Sequence, residues 1–226
     1  MIAIAPSILA ADFSRLGELV YLTESGGADR IHVDVMDGHF VPNLSMGSVV
    51  VKGLRPVTRL PLEVHLMVQK PAMFLEGFVT AGADTIIFHL EVEPDPLPLA
   101  RHIRGLGKKV GLAFNPDLPV ERVRPFVRHF DLLLCMTVFP GFGGQAFIPE
   151  SLERIAAARQ LIREANPRCE LEVDGGIDAK TLPGAVTAGS NVLVAGTAIF
   201  GAKDGPTAAT QHLVQLAHAA PKPWQA

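Results

Sequence analysis

The chain has 226 residues, of which 48% are hydrophobic and 19% are charged. This is enough apolar material for a buried core and excludes a disordered chain. Its 20 basic and 23 acidic residues are interspersed and leave a formal net charge of −3, so no basic surface indicates binding to nucleic acid or to a membrane. We therefore expect a globular protein whose partner is a small molecule.

The cysteines and the N-terminal segment give indications of the cellular compartment. Cys135 and Cys169 each lie in an apolar stretch without CxxC spacing, which argues against a zinc knuckle and a disulfide scaffold. The segment MIAIAPSILAAD lacks a basic start and a long apolar run, and the longest apolar runs, such as 132–136, are too short to span a bilayer. We expect a cytoplasmic protein without a membrane partner.

Eight short segments rich in Val, Ile and Leu predict buried parallel strands. They begin near residues 2, 30, 62, 85, 109, 132, 170 and 191. The intervals between them, roughly 20–40 residues, leave room for one helix and two turns each, which is the rhythm of an α/β protein. Two helix starts are also indicated, one capped by Asp12 or Ser14 and one opened by Pro149.

The strand ends decide between a closed barrel and an open doubly wound sheet, which strand counting alone leaves open. Nearly every strand ends in a polar or glycine-rich patch: Ser7, 34–37, His65, His89, Asn115, 141–145, 174–176 and 196–197. Eight such ends on one face are typical of the active-site end of a barrel. We therefore predict a single (β/α)8 TIM barrel over residues 1–220, followed by a C-terminal tail over 221–226.

Three strands carry candidate metal ligands. His32 and Asp34 lie two residues apart on the second strand, so their side chains share one face, and His65 and Asp174 lie on the third and seventh strands. For the first pair alone, a structural hydrogen bond is an equally good interpretation. Two imidazoles and two carboxylates from three strands, however, predict a divalent transition-metal site, because buried charges need a partner or a ligand.

Three glycine-bearing segments close the last three strands, at 141–145, 175–176 and 196–197. Glycine lets backbone N–H groups approach an anion, and barrel enzymes commonly hold phosphate after the seventh and eighth strands. Any single pair of glycines is better interpreted as a turn, but three on adjacent strand ends predict a phosphate site. No Walker motif is present, so a nucleoside triphosphate is not indicated.

Seven segments spread over residues 5–201 carry a family resemblance: APSILAADF, HVDVMDGHFVPN, VHLMV, GLAFNP, PGFGGQAFIPE, EVDGGI and VAGTAIFG. In order and spacing they resemble the ribulose-phosphate 3-epimerase family. The resemblance implies a homo-oligomeric isomerase of carbohydrate metabolism, in the pentose phosphate pathway, that interconverts D-ribulose 5-phosphate and D-xylulose 5-phosphate through an enediolate. Its expected partners are thus a ketose phosphate and further copies of itself.

The resemblance also implies roles for individual residues. His32, Asp34, His65 and Asp174 would hold one divalent ion of Zn, Fe(II), Mn or Co, and Asp34 and Asp174 would be the two proton-transferring groups. The residues implied to contact the substrate or its phosphate are Ser7, His65, Gly141, Phe142, Gly143, Gly144, Asp174, Gly175, Gly176, Gly196 and Thr197. Phe139 departs from the family pattern, which has a polar residue there, and Arg30 replaces a common aromatic residue.

Other functions stay open at this point. A 3-epimerase for a six-carbon ketose phosphate, such as allulose 6-phosphate, would use the same residues. A barrel that binds a phosphate ligand without turnover is an alternative of another class. A decarboxylase or aldolase of similar fold is disfavoured because no strand ends in an inward-facing lysine. We also predict that 141–149 is a mobile lid, since its glycines permit large backbone changes and Phe142 and Phe147 can cover a ligand.

Overall fold

A computed structural model describes residues 2–225 of the chain and contains eight parallel strands. They are β1 (Ala3–Pro6), β2 (Ile31–Met36), β3 (Leu62–Met67), β4 (Thr85–His89), β5 (Lys109–Phe114), β6 (Leu132–Met136), β7 (Glu170–Asp174) and β8 (Val192–Ala195). The sheet order is β1-β8-β7-β6-β5-β4-β3-β2. An isolated bridge between Ser7 and His32 brings β1 beside β2 and nearly closes the sheet. The predicted single (β/α)8 barrel and its eight strands are confirmed.

Helices cover the outside of the barrel. They are α1 (Leu16–Ser25), α2 (Ser48–Leu54), α3 (Leu75–Ala81), α4 (Leu97–Gly105), α5 (Ser151–Ala165), α6 (Leu182–Ala188), α7 (Thr197–Phe200) and α8 (Gly205–Ala219). Val33 and Val35 of β2 lie in the apolar layer between strands and helices, whereas Met36 packs in a separate cluster with Met67 of β3. This alternation leaves the interior face of β2 to His32 and Asp34.

The connection from β5 to β6 contains no α-helix, although its length leaves room for one. It forms two 3-10 turns, Val120–Arg122 and Val127–His129. Proline at 116, 119 and 125 explains the difference, because proline inside a helix removes a hydrogen bond and clashes with the preceding turn. The chain still covers the barrel here, since Val120, Val123 and Val127 are buried.

The two predicted helix starts differ in detail. Asp12 caps a 3-10 turn, Phe13–Arg15, by accepting a hydrogen bond from the N–H of Ser14, and α1 begins after it at Leu16. In the second case Pro149 precedes α5, which begins at Ser151. Both segments therefore lead into helices, but the capped turn at the first start is not α-helical.

The segment expected to be a C-terminal tail packs on the barrel. The indole Nε1 of Trp224 donates a hydrogen bond of 2.7 Å to the carbonyl of Val186 in α6. The guanidinium of Arg159 lies 4.6 Å from the centre of the Trp224 ring, a cation–π contact. The predicted domain's first residue, 1, and the tail's last residue, 226, lie outside the described residues.

Within residues 2–225, no helix combines the length and the apolar character that crossing a bilayer requires.

Candidate active site

A cleft opens at the C-terminal end of the barrel strands. With the exception of His65, every residue predicted to contact substrate lines it: Ser7, Gly141, Phe142, Gly143, Gly144, Asp174, Gly175, Gly176, Gly196 and Thr197. Asp34 and the methionines at 36, 67 and 136 line it as well. The cleft therefore combines two carboxylates, an apolar wall and a glycine-rich corner, in the place where barrel enzymes carry their sites.

Four side chains converge below this cleft. Nε2 of His32 lies 3.2 Å from Oδ1 of Asp34, and Nδ1 of His65 lies 3.0 Å from the same oxygen. Nδ1 of His65 is also 3.8 Å from Oδ2 of Asp174. One potential ligand atom from each of the four lies within 4.8 Å of all the others. Two imidazole nitrogens and two carboxylate oxygens form a donor set that suits a divalent transition metal, so the cluster fits the predicted ion.

Strand register and two hydroxyl groups position Asp34. β2 and β3 pair in parallel with Asp34 beside His65, which brings the two ligands together. The hydroxyl of Ser7, at the end of β1, donates a 2.5 Å hydrogen bond to Oδ2 of Asp34. The hydroxyl of Ser45 donates to the backbone carbonyl of Asp34 at 2.6 Å. Asp34 is therefore held by its carboxylate and by its backbone.

The two aspartates differ in proton affinity. Burial alone would raise the pKa of Asp34, but the charge of His32 and hydrogen bonds from His32 and His65 outweigh it and hold this pKa well below its usual value. Burial, followed by the negative charge of Asp34, raises the pKa of Asp174. One carboxyl group is thus ionised while the other favours its proton, which is the arrangement expected of an acid and base pair.

The two histidines of the cluster, His32 and His65, also differ in proton affinity. Burial lowers the pKa of His65 to about 4 despite its hydrogen bond with Asp34, so its ring is neutral at neutral pH, as a metal ligand must be. Burial also disfavours a charged His32, but the carboxylates of Asp34 and Glu172 outweigh it and raise the pKa of His32 well above its usual value. A cation bound at Nε2 of His32 would take the place of that proton.

A second layer of acidic side chains lies behind His32. Oε1 of Glu172 is 3.2 Å from Nδ1 of His32, although the two atoms are not aligned as a hydrogen bond. Glu63 is also buried, and it forms a 2.7 Å ion pair with Arg30, which pairs with Glu170 as well. Sequence analysis did not assign Glu172 to His32, but the alternation of 170, 172 and 174 along β7 places Glu172 on the same face as Asp174.

His65 lies beneath the cleft rather than in its lining. It is fully buried, with one nitrogen toward Asp34 and the other 2.8 Å from Nε2 of His89. His89 in turn lies beside Glu91, with Nδ1 3.2 Å from Oε2. Glu91 was missed by sequence analysis, and its spacing of two residues from His89 is the only signal that points to it. Asn115, whose side chain has no chemical step assigned, contributes its backbone N–H to Glu91.

The glycine-rich corner requires glycine at two positions. Gly176 has a φ of +67°, and a side chain there would collide with the backbone of Phe147. Gly175 has a φ of +120°, and a side chain there would overlap Val138. Because a left-handed backbone and close packing both exclude other residues, the turn after β7 requires glycine at both positions, and both glycines line the same cleft as Gly144 and Thr197.

The segment after β6 forms the rim of the cleft. The side-chain amide of Gln145 donates hydrogen bonds to the carbonyls of Phe139 and Phe142, and that of Asn43 donates to the carbonyl of Gly141. The side chain of Phe139 is about half exposed and is not part of the cleft lining. Its departure from the family pattern therefore leaves the lining of the cleft unchanged.

Solved structures of low sequence identity share this fold. 3-Hexulose-6-phosphate synthase from Salmonella typhimurium superposes with a TM-score of 0.70 at 14% identity, covering 98% of this chain and 100% of that chain. KGPDC from Streptococcus mutans superposes with a TM-score of 0.70 at 13% identity, covering 97% of this chain and 99% of that chain. These similarities concern the barrel alone.

Curated relatives are much more similar in sequence. A ribulose-phosphate 3-epimerase of Bacillus subtilis (strain 168) is 46% identical over 90% of this chain and 94% of its own length. One from Synechocystis is 48% identical over 89% and 88%, and a chloroplastic enzyme of Arabidopsis thaliana is 45% identical over 90% and 73%. The model of the family described as ribulose-phosphate 3 epimerase matches residues 3–200. With the barrel, the buried histidine and aspartate cluster and the glycine-rich corner in place, we conclude that the chain belongs to the ribulose-phosphate 3-epimerase family, whose members are isomerases.

Proposed function

We propose that the chain interconverts D-ribulose 5-phosphate and D-xylulose 5-phosphate by moving a proton at C3 of the sugar. The observation that carries this proposal is the pair of aspartates, Asp34 on β2 and Asp174 on β7, which line one cleft with pKa values shifted in opposite directions. Inverting a carbon next to a ketone removes a proton on one face and returns one on the other. Two carboxyl groups in opposite protonation states are suited to this task.

The glycine-rich corner would hold the phosphate. Gly144, Gly175, Gly176 and Gly196 line the cleft, and the backbone N–H groups of such a glycine-rich lining bind anions. An anchored phosphate prevents the sugar from turning over in the site. A single base would then reach only one face of C3, which is the reason for assigning both aspartates to proton transfer.

The proton steps follow from the two pKa shifts. Ionised Asp34 removes the proton from C3 on its face, leaving an enediolate, while Asp174 in its protonated form delivers a proton to the opposite face. The reverse reaction exchanges the two roles. Ser7 donates to Oδ2 of Asp34, so it helps to keep Asp34 ionised until substrate arrives. The methionines at 36, 67 and 136 line the same cleft and exclude water from the intermediate.

His32, Asp34, His65 and Asp174 would hold the metal ion, and the candidates are Zn, Fe(II), Mn and Co. When bound, such an ion acts as a Lewis acid that offsets the negative charge developing on the substrate oxygens. Asp34 and Asp174 would then serve as ligands and as proton carriers, which places both carboxyl groups next to the reacting carbon.

The proposal is tested by assaying the purified, metal-loaded protein with D-ribulose 5-phosphate and with allulose 6-phosphate in competition. We expect the five-carbon substrate to be preferred in kcat/KM. Preference for allulose 6-phosphate would reassign the substrate, and failure to exchange the C3 proton of either sugar with heavy water would indicate a barrel that binds without turnover.

Location and assembly remain predictions. Cys135 and Cys169 are both buried free thiols, which supports a reducing cytoplasm. Exposed apolar side chains on the outer surface, Leu44, Val49 and Met73, support association with further copies of the chain.

A further inference from the structure

Three residues behind His65 form a continuous hydrogen-bonded chain that ends on the backbone. Nε2 of His65 lies 2.8 Å from Nε2 of His89, and Nδ1 of His89 lies 3.2 Å from Oε2 of Glu91. Oε1 of Glu91 accepts a 2.7 Å hydrogen bond from the backbone N–H of Asn115. Both histidines are fully buried, so water does not compete for these contacts.

When an ion is bound, the two ends of this hydrogen-bonded chain fix the position of its protons. An ionised carboxylate only accepts hydrogen bonds, so Nδ1 of His89 donates to Glu91. Nδ1 of His65 faces Asp34, His32 and Asp174, and it carries no proton while it binds an ion. Nε2 of His65 must then carry the proton of that ring and donate to Nε2 of His89.

We propose that His89 and Glu91 are positioning residues that fix His65 as the tautomer protonated on Nε2, so that Nδ1 is presented as a metal ligand. The inference rests on the metal site in the proposed function and adds to it the two residues that select its ligand atom. The hydrogen bond behind a metal-bound histidine sets its tautomer and orientation, and here that bond passes through a second imidazole.

The geometry of the two rings is compatible with a hydrogen bond that runs from His65 to His89. The planes of His65 and His89 differ by 23°, with centroids 5.0 Å apart and the two Nε2 atoms only 2.8 Å apart. The rings therefore meet edge to edge, as a hydrogen bond between ring nitrogens requires. Phe40 packs against His89 at 4.7 Å between centroids and holds its ring in place. A hydrogen bond in the opposite direction, from His89 to His65, would place the proton of His65 on Nδ1, in the middle of the ligand cluster.

The first measurement uses the unaltered protein loaded with zinc alone. Imidazole ¹⁵N–¹H correlation spectra, with the signals of His65 and His89 assigned from His65→Gln and His89→Gln proteins, report which nitrogen of each ring carries a proton. We expect His65 to be protonated on Nε2 with a zinc-shifted Nδ1, and His89 to be protonated on Nδ1. The reverse assignment for either ring would overturn the proposal.

The second measurement compares Glu91→Gln with a matched control, Glu93→Gln, in the same loop. Glu93 has no hydrogen bond to any described residue, so only the first change alters the chain of contacts. In Glu91→Gln, the amide oxygen of the new side chain should accept the hydrogen bond from the backbone N–H of Asn115. The amide NH₂ group then faces Nδ1 of His89 and donates to it. This reverses the tautomers of both histidines. We expect zinc affinity, measured by chelator competition, to fall about 10–100-fold, and Glu93→Gln to retain the original affinity.

The outcomes separate this inference from the proposed function. A zinc-shifted Nδ1 on His65 together with equal zinc affinities for the two variants would leave the metal site standing and overturn the positioning role. Zinc binding without any shift at His65 would overturn the metal site and the inference with it. Epimerase activity of the unaltered protein is assayed separately and decides only the reaction.

Discussion

Glu172 places a carboxylate oxygen 3.2 Å from Nδ1 of His32, and neither side chain is exposed to solvent. The other nitrogen of the ring faces Asp34 and His65. His32 is therefore set between a buried carboxylate and the ligand cluster, an arrangement that orients a metal-binding imidazole and raises its basicity.

Replacing Glu172 by Gln should weaken zinc binding about 10-fold or more, because the change removes the negative charge that lies beside His32 and that raises the basicity of its ring. A thermal melt of the metal-free protein shows whether the variant is folded, and chelator competition measures its zinc affinity. Unchanged zinc affinity would contradict the role given to Glu172.

Removal of the metal should abolish epimerisation, and addition of a divalent transition metal should restore it, because four ligands converge below the cleft. Dialysis against a chelator, metal analysis and an assay with each candidate ion check this. Full turnover by protein shown to be free of metal would exclude a catalytic ion.

Zinc binding should strengthen as the pH rises. The pKa of His32 is raised, so near neutral pH its ring holds a proton that the ion must displace, whereas His65, with a pKa of about 4, is already neutral. Lowering the pH therefore protonates ligands further and weakens binding. Calorimetry in buffers of different ionisation enthalpy should detect proton release near pH 7. Binding that releases no protons would contradict these shifts.

The rim segment 141–149 should become protected when the cleft is filled. Gly141 and Gly144 have positive φ values, and the side chain of Phe142 is more than half exposed, so the segment can fold over a ligand. Limited proteolysis near Gly143 should slow in the presence of inorganic phosphate or a sugar phosphate. Equal cleavage rates with and without the ligand would count against a lid.

Asp34→Asn and Asp174→Asn should each lose epimerisation by more than the roughly 10²–10⁴-fold that acid–base assistance alone supplies, because the metal site is disturbed as well. Each protein retains one carboxyl group. It should therefore exchange deuterium into C3 of one epimer only, and the two variants should prefer opposite epimers.

Metal content must be measured in both variants, because loss of the metal would silence both epimers equally. If metal-loaded Asp34→Asn and Asp174→Asn exchange both epimers at similar rates, protons are not delivered from opposite faces by these two groups, and a single base must serve both.

The strands and the ligand cluster were predictable because they depend on local rules. Alternation along β2 places His32 and Asp34 on one face, and parallel strands bring their C-terminal ends to one side of the barrel. The hydrogen bonds that link His65, His89 and Glu91 were not predictable in the same way. It depends on the register of β3 against β4 and on which ring nitrogen carries a proton, and neither follows from spacing.

Two features outside the site escaped prediction for different reasons. The connection from β5 to β6 is long enough for an α-helix, but its three prolines disfavour one. The docking of Trp224 on Arg159 and Val186 joins the end of the chain to α5 and α6, and such a contact between distant segments has no local pattern.

β1 and β2 are joined by fewer backbone contacts than the other neighbouring strands of the barrel. Among the described residues these strands share one isolated bridge, Ser7 with His32, where the other neighbours form continuous ladders. Ser7 and His32 both contact Asp34, so this single bridge lies beside the ligand cluster. An ion held by residues of β2, β3 and β7 would connect strands on the two sides of β1 and β8. Metal binding is therefore expected to stabilise the contact between β1 and β2, and slower amide exchange along β1 would report it.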